Sequence, residues 1–314
     1  MNRLPYVGKR LLQMIPVLIG ITIVTFLVVR LIPGNPALVM LGPKKATPEN
    51  IAAINHHLGL DRPLPVQYLV FLGNLVHGDL GSSFFFQESV LQLVWEKVPA
   101  TLFLLLYATV LSVLLMLPMG LLAALNKDRL PDQVIRATFL FGLGMPSFWL
   151  GLVLILALSV NLHLFPVSGY GTNPPDQIWH LFLPALTIAI SLAPILVRSL
   201  RNSLIDTLRL DHVLMARAKG LRERRVLVRH VMRNALISTV TILGINIGFL
   251  IGSTVVIENI FAVPGLGYLM LTAISTRDYP IVQGLTLIFA LLVIAVNLLT
   301  DITYSLLDPR VTYD

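Results

Sequence analysis

Residues 211–236 read DHVLMARAKGLRERRVLVRHVMRNAL, and how this stretch folds decides how the rest of the chain is read. It lies inside a polar island, 198–233, that holds ten Lys and Arg residues: Arg198, Arg201, Arg209, Arg217, Lys219, Arg222, Arg224, Arg225, Arg229 and Arg233. On either side the chain is mostly Leu, Ile, Val, Ala and Phe. Apolar residues recur in the island at spacings of three and four. Leu200, Leu204 and Leu208 mark one stripe, and Val228, Val231, Met232 and Ala235 another, which predicts two short amphipathic helices. Gly220 interrupts the pattern, and glycine ends a helix at least steric cost. The expectation is a helix-turn-helix with its bend at 216–220, lying on the cytoplasmic surface of a membrane.

Composition supplies the membrane. The chain has 314 residues, of which 56% are hydrophobic and only 12% charged, with a mean hydropathy of +0.82. Soluble domains carry roughly 25% charged residues, so this chain belongs in a bilayer. It has no cysteine, which excludes disulfides and thiolate metal sites. A basic loop in that setting can simply fix topology and meet anionic headgroups. A nucleic-acid helix-turn-helix also places basic residues around a turn, but the flanking apolar spans would tether this one to lipid.

Arg3, Lys9 and Arg10 precede an apolar run of 22 residues, 11–32, long enough to cross roughly 30 Å of hydrocarbon. A secretory leader has a shorter apolar core, about 7–15 residues, so a retained first span is expected. Arg30 near its far end can snorkel to the interface, and Pro33, Gly34, Asn35 and Pro36 stop the helix. Residues 33–99 form an external segment too long to be structureless. Thr47 before Pro48 and Glu49 predicts a capped helix start. A second short helix is expected over 66–76, and GDLGSSF at 78–84 reads as a turn leading back to the membrane. His56, His57 and His77 cluster here, but adjacent residues do not share a helix face, so no metal site is read from them.

Further spans are expected at about 100–125, 134–162, 181–197, 236–257 and 283–307. The third contains Gly142, Gly144 and Pro146, which predict a kink, and the fourth is short and holds Pro184 and Pro194. In the fifth, Gly244, Gly248 and Gly252 lie four apart along one face, where small residues let another helix approach closely. That face suits either a helix interface near the transport path or packing within the subunit. Residues 258–280, ENIFAVPGLGYLMLTAISTRDYP, form an external turn broken at Pro264, Gly265 and Gly267, with Glu258 and Asp278 near its ends.

Seventeen Lys and Arg residues fall in 1–10, 126–136, 198–233 and the C-terminal end, against Lys44, Lys45, Arg62, Lys97 and Arg277 on the other side. That asymmetry predicts six spans with both termini in the cytoplasm. No phosphate-binding GK[ST] loop, HExxH, GxSxG or paired carboxylates within one span can be found. Asp301 is the one acid read as lying well inside a span, whereas proton coupling needs buried ionisable residues. A stand-alone secondary transporter or a membrane-embedded enzyme is therefore disfavoured. A transporter with no energy source of its own needs a partner.

The strings ARAKGL and RHVMRNAL, with LGLDRPLPVQY, GDLGSSF, ENIFAVPGLG, RDYP and the terminal LDPRV, resemble the permeases of ABC importers for dipeptides, oligopeptides and nickel across nearly the whole chain. The resemblance implies an all-α multi-pass fold of the type I importer permease kind, divided as a first span (1–32), an external helical segment (33–99) and a permease core (100–314). Within that core it implies a coupling loop at 198–235 and an external cap at 258–280. It implies that Ala216, Arg217, Ala218, Lys219, Gly220 and Leu221 dock on an ATPase, and that Glu258, Pro264, Gly265 and Asp278 help to cap the path beneath an external binding protein. The implied partners are a second, similar permease, two ATPase subunits and that binding protein, with no nucleic acid. ATP and Mg would sit in the ATPases, and this chain would hold no cofactor or metal and would not itself be an enzyme. Two departures stand out: Leu214 and Met215 where the broad pattern has Glu and Ala, and Ser238 in place of Pro in NALIS, which puts the helix start after the loop in doubt. Short peptides are the expected cargo, with a metal chelate second, and the residues that contact cargo are not read from the sequence.

Overall fold

The computed structural model describes residues 4–31, 47–57 and 61–307, and regular structure among them is helical apart from one isolated bridge between Ser82 and Ser89. In chain order the helices are α1 (Leu4–Leu31), α2 (Pro48–His57), α3 (Leu64–Val76) and α4 (Val90–Leu125). Next come α5 (Leu130–Gly144), α6 (Ser147–Asn161), α7 (Pro174–Leu208) and α8 (Asp211–Ala218). The chain continues through α9 (Glu223–Ile260), α10 (Leu266–Thr276) and α11 (Tyr279–Leu307). Among the described residues four helices, α4, α7, α9 and α11, are long and apolar enough to cross a bilayer, and the bent pair α5–α6 makes a fifth if it counts as one span. The expected count of six also needs α1, whose apolar helical window among the described residues is Met14–Leu27.

Local sequence sets many of the ends. Thr47 caps α2 by accepting a hydrogen bond from the Asn50 N–H at 3.3 Å, with Pro48 as first helical residue, as the Thr-Pro-Glu string predicts. Asn173 does the same for α7, accepting from the Asp176 N–H at 3.1 Å ahead of Pro174 and Pro175. Between α5 and α6, Met145 is extended because the ring of Pro146 excludes the helical conformation before it. The result exceeds the kink expected from Gly142, Gly144 and Pro146: the two helices turn by 107°.

The chain divides into two compact units. One comprises Met1–Pro99 with Gly265–Leu292. Its core joins the first turns of α4 to α10 and the start of α11, through Val90, Leu93, Leu266, Leu269, Ile281 and Leu285. Gly284 permits this, since a Cβ there would stand 2.7 Å from Val90 Cγ1. In the same unit α1 meets α3, with the Phe26 and Tyr68 rings edge-to-face at 5.2 Å and the Thr22 and Tyr68 hydroxyls 2.8 Å apart.

The other unit comprises Ala100–Pro264 with Val293–Asp314. Its spine is α7, the most deeply buried of the long apolar helices, which packs on α5, α6 and α9. Leu181, Leu183, Ile188, Leu196, Leu200 and Leu204 are all at most 1% exposed, and because lipid tails are as apolar as leucine it is close packing of such side chains that holds membrane helices together. Close backbone approach is again bought with glycine: a Cβ on Gly120 of α4 would lie 2.8 Å from Leu200 Cδ2. α7 has 35 residues, about 52 Å at 1.5 Å per residue, and stays helical through Pro184 and Pro194.

That length corrects the expected short fourth span. It also corrects the reading of the basic island as two short helices. Leu200, Leu204 and Leu208 continue α7, while Val231 and Ala235 belong to α9, and only α8 stands alone between them. A stripe at spacing three and four marks a helix face but says nothing about where the helix began. Nor does Ser238 disturb a helix start: α9 begins at Glu223, and the Ser238 hydroxyl lies 2.8 Å from that of Ser203 on α7.

Candidate functional site

The island folds into the end of α7, the eight-residue α8 and the start of α9. Leu210 is extended and separates α7 from α8. At the far end Gly220 takes φ +74, its N–H donates to Arg217 O at 2.8 Å, and the Leu221 N–H donates to Ala216 O at 3.3 Å. These bonds satisfy the last carbonyls of α8, and a Cβ at that φ would be strained, so glycine suits the position. Val213 and Ala216 are buried where α8 packs on α9, whereas Leu214 and Met215 are 51% and 65% exposed. The Arg217 guanidinium donates to both Glu223 carboxylate oxygens, at 2.9 and 3.2 Å, across the turn. Both side chains are substantially exposed, so this pair adds at most about 1 kcal/mol. The six residues read as a docking loop, Ala216 to Leu221, thus form one small, internally tied corner, with the apolar pair Leu214 and Met215 beside it on the surface.

The glycine face of α9 is used in part. A Cβ on Gly244 would overlap the Thr300 side chain of α11, and one on Gly248 would stand 3.4 Å from Asn297 Oδ1. Gly252 has nothing within 4 Å of that position. Gly244 and Gly248 therefore serve packing between α9 and α11 within this chain.

The acids placed at the cap are buried, not displayed. Glu258 is fully buried and accepts from the Thr101 hydroxyl at 2.6 Å, while its carbonyl accepts from the Val263 N–H at 2.8 Å. Asp278 is also fully buried, and its Oδ2 accepts from the Ser83 hydroxyl at 2.5 Å and the Phe85 N–H at 2.9 Å. Two strings singled out separately in the sequence, GDLGSSF and RDYP, meet in that bond. Asp278 also precedes α11, where a carboxylate suits the helix N-terminus. Gly265 stands directly before α10, and Pro264 precedes it.

The sequence reading missed the buried pair Asp132 and Arg201. The Arg201 Nε donates to Asp132 Oδ1 at 2.6 Å and Nη2 to Oδ2 at 2.5 Å, a two-pronged bond between α5 and α7. The Asp128 N–H adds a third bond to Asp132 Oδ2 at 2.8 Å. Arg201 is one of ten basic residues in the island, and a single acid in the first turn of α5 gives no periodic signal. Among the described residues no group of three His, Asp or Glu could hold a metal ion.

Residues 116–313 match the family described as the inner membrane component of binding-protein-dependent transport systems, and residues 3–105 match the N-terminal part of such components. The chain belongs to that family. The permease is 41% identical to the oligopeptide transport system permease protein AppB of Bacillus subtilis, over 98% of this chain and 99% of that one. It is 39% identical to the di/tripeptide transport system permease protein DppB of Pseudomonas aeruginosa, over 99% of each. In fold the permease is similar to a chain of the inward-facing MetNI methionine ABC transporter, with a TM-score of 0.57 and 16% identity over 69% of this chain and 97% of that one. The all-α ABC importer permease fold expected from the sequence is thereby shown, and the permease is a multi-pass membrane transport component.

Proposed function

We propose that this permease forms half of the path through which an ABC importer moves short peptides across the bacterial cytoplasmic membrane. A second, similar permease completes the path, an external binding protein delivers the peptide, and two ATPase subunits holding ATP and Mg drive the cycle from the cytoplasm, where both termini lie. The observation that carries this reading is α8. It is a short helix held between two long ones, capped by Gly220, and it leaves Leu214 and Met215 uncovered. Isolated helices this short are unstable without packing, so its position follows the ends of α7 and α9. Displacing it moves both long helices, which is what an ATPase closing on it would do. The residues Ala216 to Leu221 fix the corner, Gly244 and Gly248 hold α9 on α11, and Glu258 and Asp278, with Pro264 and Gly265, fix the external cap from within. The names of the two relatives support peptides as cargo over a metal chelate.

Met215→Glu tests the docking role, because Met215 is exposed and its replacement disturbs no packing within the chain. The expected result is normal membrane abundance, loss of the ATPase from the detergent-purified complex and loss of peptide uptake. Retained ATPase and normal uptake in Met215→Glu and Leu214→Glu alike would overturn the assignment. Uptake of a nickel chelate in place of peptide would change the cargo and leave the coupling intact.

A further inference from the structure

Between α5 and α7, inside the larger unit, lies a cleft of about 540 Å³. This is within the range of roughly 300–1,000 Å³ found for small-molecule sites. The two helices that line it run in opposite directions, because Asp132 near the start of α5 binds Arg201 near the end of α7, while Gly142 near the end of α5 meets Pro194, whose Cγ would lie 3.7 Å from a Cβ there. The polar lining residues consequently gather at one end, together with Ile135, and the other end is apolar. Gln133 and Arg136 on α5 face Arg198, Arg201 and Asn202 on α7 at one end. At the other, Leu140 and Leu143 face Pro194 and Val197. At 1.5 Å per residue, the ten residues from Gln133 to Leu143 set these ends about 15 Å apart.

Charge decides what the cleft would take. No acid lines it, and Asp132 beside it is committed to Arg201 through two short bonds. Arg136 reaches Asp132 only at 4.0 Å, and Asp128 lies 4.0 Å from Arg201 and 3.8 Å from Lys127. Arg198 has no acidic partner among the described residues. Arg198 is left without an acidic partner, and Arg136 has only a long contact to a carboxylate already held by Arg201, above an apolar trough in a protein that lives in lipid.

We propose that this cleft is a binding site for an anionic phospholipid, with the phosphate between Arg136 and Arg198 and an acyl chain along Leu140, Leu143, Pro194 and Val197. Basic pockets between membrane helices are suited to such headgroups, and arginine binds phosphate through paired N–H groups. A lipid seated there joins α5 to α7 beside the ion pair and adds to the contacts that hold them together.

The test uses the transporter purified with its partner subunits, stripped of lipid in detergent, and native mass spectrometry with added palmitoyl-oleoyl phosphatidylglycerol. Phosphatidylcholine with the same chains and free glycerol 3-phosphate are the comparison probes. Phosphatidylglycerol should be retained in preference to both. The pair Arg136→Gln with Arg198→Gln should weaken it about thirty-fold, from about five-fold per arginine. Replacing Arg224 and Arg225, exposed in the same basic island, should change it less than two-fold. Should the glutamine pair not assemble, Arg136→Lys with Arg198→Lys keeps the charge and should keep the preference for phosphatidylglycerol over phosphatidylcholine. Equal retention of the two lipids, equal binding of glycerol 3-phosphate, unchanged binding in the glutamine pair, loss of preference in the lysine pair, or displacement of the lipid by a short peptide would each overturn the proposal.

Discussion

Removing the Asp132 carboxylate is the most informative single perturbation. Asp132 is fully buried, and the Arg201 side chain is 11% exposed, so Asp132→Ala leaves a guanidinium that water reaches poorly and takes away two charge-assisted bonds at once. Breaking such a pair from one side costs about 3–5 kcal/mol, whereas replacing both partners by apolar groups of similar volume is often neutral or stabilising. The expected pattern is therefore strongly non-additive. Asp132→Ala alone should destabilise by about 3–5 kcal/mol, Arg201→Met alone by a similar amount, and the double variant by no more than about 2 kcal/mol. Reversible unfolding of the detergent-solubilised transporter, followed through all four members of the cycle, measures the coupling. Additive losses, or single variants within about 0.5 kcal/mol of the parent, would show that the pair does not clamp α5 to α7.

Two further outcomes follow from close contacts. Gly244→Val should lower thermal stability by about 1–3 kcal/mol because Thr300 already fills the space, Thr300→Ala should restore part of it, and Gly252→Ala should be near neutral; equal effects at Gly244 and Gly252 would contradict the packing of α9 on α11. Asp278→Ala should loosen the turn around Phe85 and Phe86 at a cost of about 1.5–3 kcal/mol per bond lost to the charged group, read as faster proteolysis at that turn, and unchanged cleavage would refute its anchoring role.

How much of this was legible beforehand depends on the range of the interactions. Caps are local, so Thr47-Pro48-Glu49 announced α2, and Gly220 announced the end of α8. Apolar runs gave the long helices and hence the fold class. What failed was the punctuation of the basic island, where Leu200 and Leu204 looked like a new surface helix although they are the buried continuation of α7. The fourth span reads as short, about 181–197, because the apolar run stops at Arg198, yet α7 continues to Leu208 and stays helical through Pro184 and Pro194. Least visible were the long-range partners. Asp132 and Arg201 are 69 residues apart and Ser83 and Asp278 are 195 apart, and neither separation leaves a periodic trace in one sequence. The corner at Ala216 to Leu221 was legible because its residues are contiguous; the cleft beside the ion pair was not, because two distant segments build it.

The length of α7 has a mechanical consequence. A rod of about 52 Å set in an apolar slab about 30 Å thick must either lean steeply or stand well clear of it. An end that stands clear would serve as a lever arm, and Pro184 and Pro194, each missing one backbone bond, are where the shaft would flex under load.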